Sequence, residues 1–127
     1  MNDALTGKTL VIRRKVPSQN QSQYRHWSLY MKEKELWFAL IRAQLPPRQP
    51  IQEPVRLCLR SYRVRLMDYA NLVGGAKPIP DALVRLGHLK DDSPRWFHCD
   101  YFQFQVPKED ERTELEFLAW SGHDSIE

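Results

Sequence analysis

Hydrophobic positions recur with two different periods along this 127-residue chain, and each change of period marks an element. The first seven residues show neither period and read as a disordered start. Thr9 to Arg14 (TLVIRR) reads as a short strand, β-branched and then basic. A polar loop follows and ends in Tyr24-Arg-His-Trp27. Ser28 to Gln44 carries the clearest helical period. Ser28 caps it, and Tyr30, Trp37, Leu40, Ile41 and Gln44 form one stripe. Lys32, Glu33, Lys34 and Glu35 then face water. The helix stops before Pro46, and Leu45 to Pro54 is a proline-rich connection inside the domain.

Val55 to Leu66 (VRLCLRSYRVRL) alternates apolar and basic residues, the period of a half-buried strand. The phase slips at Ser61-Tyr62, which predicts a bulge or bend there. Residues 71–86 are helical in pattern, interrupted by Gly74-Gly75 and two prolines, so the firm helix is Pro78 to Leu86. Ile79, Leu83 and Leu86 line its buried side, and Gly87 stops it. Asp91-Asp92-Ser93-Pro94 is a turn. Trp96 to Val106 alternates again, with Phe102, Phe104 and Val106 on one face and Tyr101, Gln103 and Gln105 on the other. Glu114 to Trp120 is the last strand, and residues 121–127 read as a frayed tail. No internal repeat is visible, and the length suits one domain, residues 1–127.

Charge is distributed unevenly. Residues 1–66 hold thirteen Lys/Arg against four Asp/Glu, a net +9. Residues 67–127 hold six against twelve, a net −6, which leaves the +3 of the whole chain. A protein that grips phosphates with one surface and holds cations with another has this layout. Two solvated faces of no special function have it too. The Tyr24–Trp27 loop has the same two readings: a nucleic-acid contact, with amides and Arg25 on phosphates and rings on bases, or aromatics that anchor the loop by burial. The residues by themselves favour anchoring.

Two cysteines, Cys58 and Cys99, make no disulfide framework. Each falls in a strand and reads as a buried reduced thiol. With His26, His88, His98 and His123 they show no zinc-ligand spacing. No apolar run approaches a membrane span and the start lacks a signal-peptide pattern, so a cytoplasmic location is the expectation.

The candidate chemistry lies in Leu66 to Pro94, which carries Asp68, Asp81, Asp91 and Asp92. A strand end, a helix flank and a post-helix turn converge if the helix packs back on the sheet. Converging carboxylates repel unless a cation neutralises them. Mg²⁺ suits such a set, because it takes hard oxygens, keeps waters and accepts a substrate phosphate. Lys77, four residues before Asp81, would bind that phosphate or a developing oxyanion. Asn71 would orient a ligand or a water. The plainer reading is that Asp68 and Asp81 are cap or salt-bridge residues and that Asp91-Asp92 is an exposed turn.

Five elements in series carry a family resemblance: Asp68-Tyr-Ala-Asn71, Lys77, Asp81-Ala-Leu83, Gly87 and Asp91-Asp92. The early loop adds Pro17-Ser18, Asn20 and Tyr24-Arg-His-Trp27. In these residues the chain resembles the RusA family of Holliday junction resolvases of phages and prophages, from about Leu10 to Phe104. The resemblance implies a small α+β domain, a mixed sheet of about four strands with two main helices packed on it, in a homodimer. It implies Mg²⁺-dependent cutting of four-way DNA junctions by paired nicks, with Mn²⁺ a possible substitute. The implied catalytic residues are Asp68, Lys77 and Asp92, and the implied metal ligands Asp68 and Asp92 with Asp91 beside them and Asp81 in support. Arg13, Arg14, Asn20, Tyr24, Arg25, His26, Arg56, Arg60, Arg63, Arg65, Asn71 and Lys77 would contact DNA. The sequence departs from the family where its second Asp is Ala70, which cannot bind metal, and in a short insertion around Gly74-Gly75. Either another carboxylate completes the site, or the domain binds junctions without cutting them.

Overall fold

A computed structural model describes residues 5–18 and 27–122. The elements are β1 (Thr9–Ile12), α1 (Trp27–Arg42), β2 (Val55–Arg63), α2 (Tyr69–Gly75), α3 (Pro78–Arg85), β3 (Phe97–Gln105), a 3-10 turn (Lys108–Asp110) and β4 (Arg112–Leu118). The fold is α+β. Its four strands form one mixed sheet in the order β1-β4-β2-β3. β4 runs antiparallel to β1 and β2, and β3 runs parallel to β2. Parallel neighbours need a long crossover, and α2 and α3 supply it. β1, β2 and β3 therefore all point one way, and their C-terminal ends share one edge of the sheet.

One face of the sheet is covered. Leu10 and Ile12, Leu57 and Leu59, and Leu115 and Phe117 project beneath Trp37 and Ile41 of α1, Leu72 of α2, and Ile79 and Leu83 of α3, all essentially inaccessible to solvent. α3 follows its sequence pattern: Pro78 opens it, Ile79, Ala82 and Leu83 are buried, and Gly87 at φ +87° ends it. A Cβ on Gly87 would lie 2.2 Å from the Arg48 carbonyl oxygen, so that position needs glycine for space as well as for backbone angle.

Several expectations change in the structure. The expected bulge in β2 is not there: pairing with β3 runs unbroken from Val55 to Arg63. The apolar period stops at Ser61 because the buried face continues with polar residues, Ser61 and Arg63. Arg63 is satisfied there, donating from Nη1 to the Val16 carbonyl at 2.7 Å and from Nε to the Arg65 carbonyl at 2.6 Å. Glu33 does not face water; it accepts from Trp37 Nε1 at 3.1 Å and pairs with Arg14. The start expected to be disordered is tied down from Leu5, which is buried, and Gly7 donates to the Phe117 carbonyl at 2.7 Å. In β3, Phe102 and Phe104 lie on the uncovered face, 48% and 42% exposed. No helix among the described residues is long and apolar enough to cross a membrane.

The uncovered face carries a ladder of ion pairs. Arg60 bonds Glu114 at 3.1 Å and Glu116 at 2.8 Å; Arg112 bonds Glu114 at 2.9 Å; Arg56 bonds Asp100 at 2.9 Å. Tyr62 stacks on Phe104 at 5.1 Å, and the Arg112 guanidinium lies 3.8 Å from the Tyr62 ring centre. Cys58 and Cys99 are free thiols on opposite faces of adjacent strands.

Two predictions follow from packing and charge. Gly75 lies against the loop after β1, and a Cβ there would sit 1.6 Å from the Pro17 carbonyl oxygen. Backbone must move to admit it, so Gly75→Ala lowers the free energy of unfolding by about 3 kcal/mol, the upper end for overpacking. An unchanged urea midpoint would show that the Pro17 loop does not press on α2. The second concerns acid. The Arg56 hydrogen bond holds the Asp100 carboxyl below its ordinary range. Burial pushes Glu114 up, but bonds from Arg112, Arg60 and Tyr62 outweigh it and leave the pKa lowered. Carboxylates depressed in the folded state contribute stability above their unfolded pKa of roughly 4, and lose it as pH falls through the folded value. Unfolding free energy therefore declines below about pH 4, and less steeply in Glu114→Gln; urea titrations at stepped pH giving equal slopes for both proteins would refute the ladder's role.

Candidate functional site

The crossover from β2 to β3 positions the candidate residues. Asp68 leaves β2 in extended conformation and caps α2: Oδ1 accepts the Asn71 backbone N–H at 2.9 Å, and Oδ2 accepts Asn71 Nδ2 at 3.0 Å. Asn71 thus orients Asp68. Ala70 is exposed on the first turn.

Lys77 stands between α2 and α3, with helical backbone angles just ahead of the buried Pro78. Its Nζ reaches Asp81 Oδ1 at 3.1 Å and Asp92 Oδ2 at 3.0 Å. Partial burial works to lower the Lys77 pKa, but bonds and charges from Asp92 and Asp81 outweigh it and the pKa is raised. The ammonium is therefore cationic throughout the neutral range. It cannot act as a general base. It has three N–H donors and uses two on carboxylates, which leaves one for a phosphate oxygen.

Asp91 points elsewhere. Its Oδ1 accepts the Ser93 N–H at 2.8 Å, and the Ser93 bonds lower its pKa. The structure thus brings Lys77, Asp81 and Asp92 together, with Asp68 and Asp91 outside that unit. Among the described residues no three His, Cys, Asp or Glu side chains gather as a metal-ligand group.

Beside Lys77 and Asp92 opens a cleft of about 330 Å³ with walls that include Val73, Pro80, Pro94, Phe97, Cys99 and Tyr101. Burial pushes the Cys99 thiol up to about 12 and the Tyr101 phenol well above its ordinary value. Both are neutral, so neither is a ready nucleophile. Tyr69, next to Asp68, meets the Tyr101 ring edge-on at 6.1 Å, and the Asp92 charge is one cause of the Tyr101 shift. The strand signal predicted β3, but no local pattern marks Tyr101 as part of a cleft; only the fold of α2 over β3 does.

A second, larger cleft of about 760 Å³ opens where the C-terminal ends of β1, β2 and β3 meet. Arg13, Arg14, Lys15, Arg63, Arg65 and Lys108 line it, with Glu111 as its one acid. Not all six are available. Arg14 is paired with Glu33, Lys15 with Glu111 at 3.5 Å, and Arg63 is committed to backbone carbonyls. Arg13, Arg65 and Lys108 have no carboxylate partner among the described residues. Lys15 and Lys108 were not singled out in the sequence; Lys15 follows Arg13 in the chain, and only strand order brings Lys108 beside them. Arg56 and Arg60 are placed elsewhere, in the ladder on the uncovered face. Asn20, Tyr24, Arg25 and His26 lie outside the described residues.

The donor set admits Mg²⁺ in one form. Mg²⁺ is commonly held by one or two carboxylates together with substrate phosphates, rather than by an all-protein cage. Asp92 and Asp68 are exposed hard-oxygen donors of that kind. A closed site with three protein carboxylates is not what this arrangement offers. No protein-family model matches the chain, and no curated protein is similar enough to match it.

Proposed function

We propose that this chain acts on branched DNA as a RusA-like, Mg²⁺-dependent endonuclease that resolves four-way junctions, working as a homodimer. One observation carries this reading. The basic cleft and the Lys77–Asp92 unit lie at opposite ends of one short helix: Leu66 and Met67 line or border the cleft, and Lys77 follows α2 directly. A DNA strand gripped by the cleft is thereby led towards the carboxylates. Arg13, Arg65 and Lys108 take backbone phosphates and fix register without reading sequence. Lys77 holds the phosphate to be cut through its remaining N–H, oriented by Asp81 and Asp92. Asp92, beside Lys77, would hold Mg²⁺ together with phosphate oxygens, while Asp68, its rotamer fixed by Asn71, stands at the cleft end of α2. The ion, when bound, supplies a water of lowered pKa and neutralises charge on the phosphate. A two-fold dimer matches the two symmetric nicks that a junction requires.

A second reading is a junction-binding protein that does not cut. Two observations favour it: Ala70 withholds a ligand, and Lys77 already offsets part of the charge of Asp81 and Asp92.

One experiment separates the two. A synthetic four-way junction and a linear duplex of the same sequence are incubated with Mg²⁺ or with EDTA, and the Asp92→Asn variant is run in parallel. The nuclease reading expects symmetric nicks in the junction alone, dependent on metal and lost in Asp92→Asn. Tight junction binding without nicks establishes the second reading, and equal weak binding to both DNAs defeats both.

Salt tests the cleft separately. Binding weakens linearly in log–log plots against salt, and Arg13→Ala or Arg65→Ala each reduces the slope by about 1. Arg60→Ala, whose guanidinium is held by Glu114 and Glu116, leaves the slope unchanged. An effect of Arg60→Ala equal to that of Arg65→Ala would move the DNA surface to the open sheet face.

A further inference from the structure

We infer that the 330 Å³ cleft beside Lys77 is a nucleobase pocket, which takes one unpaired base of the branched DNA while the adjoining phosphate lies on Lys77. The inference rests on the DNA reading above and adds to it the feature that tells a branch from a plain duplex.

The cleft is at the small end of ligand-sized sites. It has room for one flat ring system and none for a duplex. Its walls are apolar or aromatic, with Val73, Pro80, Pro94, Phe97 and Tyr101 around it, which is the surface on which any base stacks regardless of identity. The neutral thiol of Cys99 and the neutral phenol of Tyr101 add no charge to its lining.

Of the remaining lining residues, Lys77 and Asp92 are charged and His98 carries a polar ring. Lys77 offers an ammonium for phosphate. Asp92, bonded to Lys77 through Oδ2 at 3.0 Å, holds that ammonium beside the cleft.

The path to the pocket also has a workable length. α2 has seven residues, about 10 Å at 1.5 Å per residue. At about 3.4 Å per nucleotide along a duplex strand, that is about three nucleotides between the cationic cleft at one end and Lys77 at the other. A strand anchored in the cleft thus presents its third or fourth nucleotide to the pocket. Bases at a branch point are the ones that unstack at least cost, so a plain duplex gives the pocket nothing without first being broken.

The test compares two junctions bound by the full chain in EDTA, so that no cutting intervenes. One carries a single unpaired adenine at the branch, the other an abasic sugar at the same place. The adenine junction binds about tenfold more tightly, within the range measured for one stacked base. Val73→Phe fills the pocket and brings the two affinities within twofold of each other, leaving abasic binding as it was. Val73→Ala, which keeps the pocket open, retains the preference. Equal affinities for the two junctions in the unsubstituted protein, which needs no variant to fold, overturn the pocket while leaving the DNA reading intact. A preference that survives in folded Val73→Phe also overturns it. Failure to bind either junction removes the DNA reading and the pocket with it.

Discussion

The parallel pairing of β2 with β3 is the constraint on which the rest depends. Antiparallel neighbours can be joined by a tight turn, but parallel ones require the chain to travel back along the sheet. That return path is α2 and α3, and every candidate residue from Asp68 to Asp92 lies on it. Leu72, Ile79, Ala82 and Leu83 bury the path against the sheet. Burial of four apolar side chains at roughly 1–3 kcal/mol each holds the crossover in place. The carboxylates and Lys77 are carried on the outward side of a segment whose inward side is fixed.

The same sheet order builds the basic cleft. Because β1, β2 and β3 run one way, three loops distant in sequence meet at one edge. Arg63 joins two of them: its buried guanidinium holds the Val16 and Arg65 carbonyls together. Burial works against its charge and lowers its pKa, with Glu111 opposing. An arginine ordinarily titrates so high that it stays charged even so. Its role is to fix the loops from which Arg13 and Arg65 project.

The elements were legible because their periods are strong. The four strands, α1 and α3 fall within a few residues of the segments read from sequence, and Gly87 and Pro78 mark the ends of α3 as expected. The i, i+4 pair of Lys77 and Asp81 was also legible, since helix geometry alone sets it. What escaped the sequence depends on partners far away in the chain. The phase slip at Ser61-Tyr62 suggested a bulge, yet Ser61 and Arg63 are buried polar residues on an unbroken strand, Arg63 bonding both Ser61 and the distant Val16 carbonyl. Arg56 and Arg60 stood out as basic surface, but Asp100, Glu114 and Glu116 lie across from or diagonal to them on adjacent strands. Tyr101 gave no signal, because a cleft needs two elements and a strand pattern describes one.

The arrangement around Lys77 bears directly on Ala70. Carboxylates crowded at a surface need a cation to offset their repulsion. A metal site meets that need with an ion from solution, whereas this chain meets part of it with its own ammonium, held by Asp81 and Asp92 at 3.1 and 3.0 Å. A further carboxylate at position 70 would be an added negative charge on α2. Alanine there leaves a site whose charge is closer to balance before any ion or DNA arrives. Both proposed readings share this starting point. They differ in whether a phosphate on the free N–H of Lys77 would bring with it the remaining oxygen donors that Mg²⁺ requires.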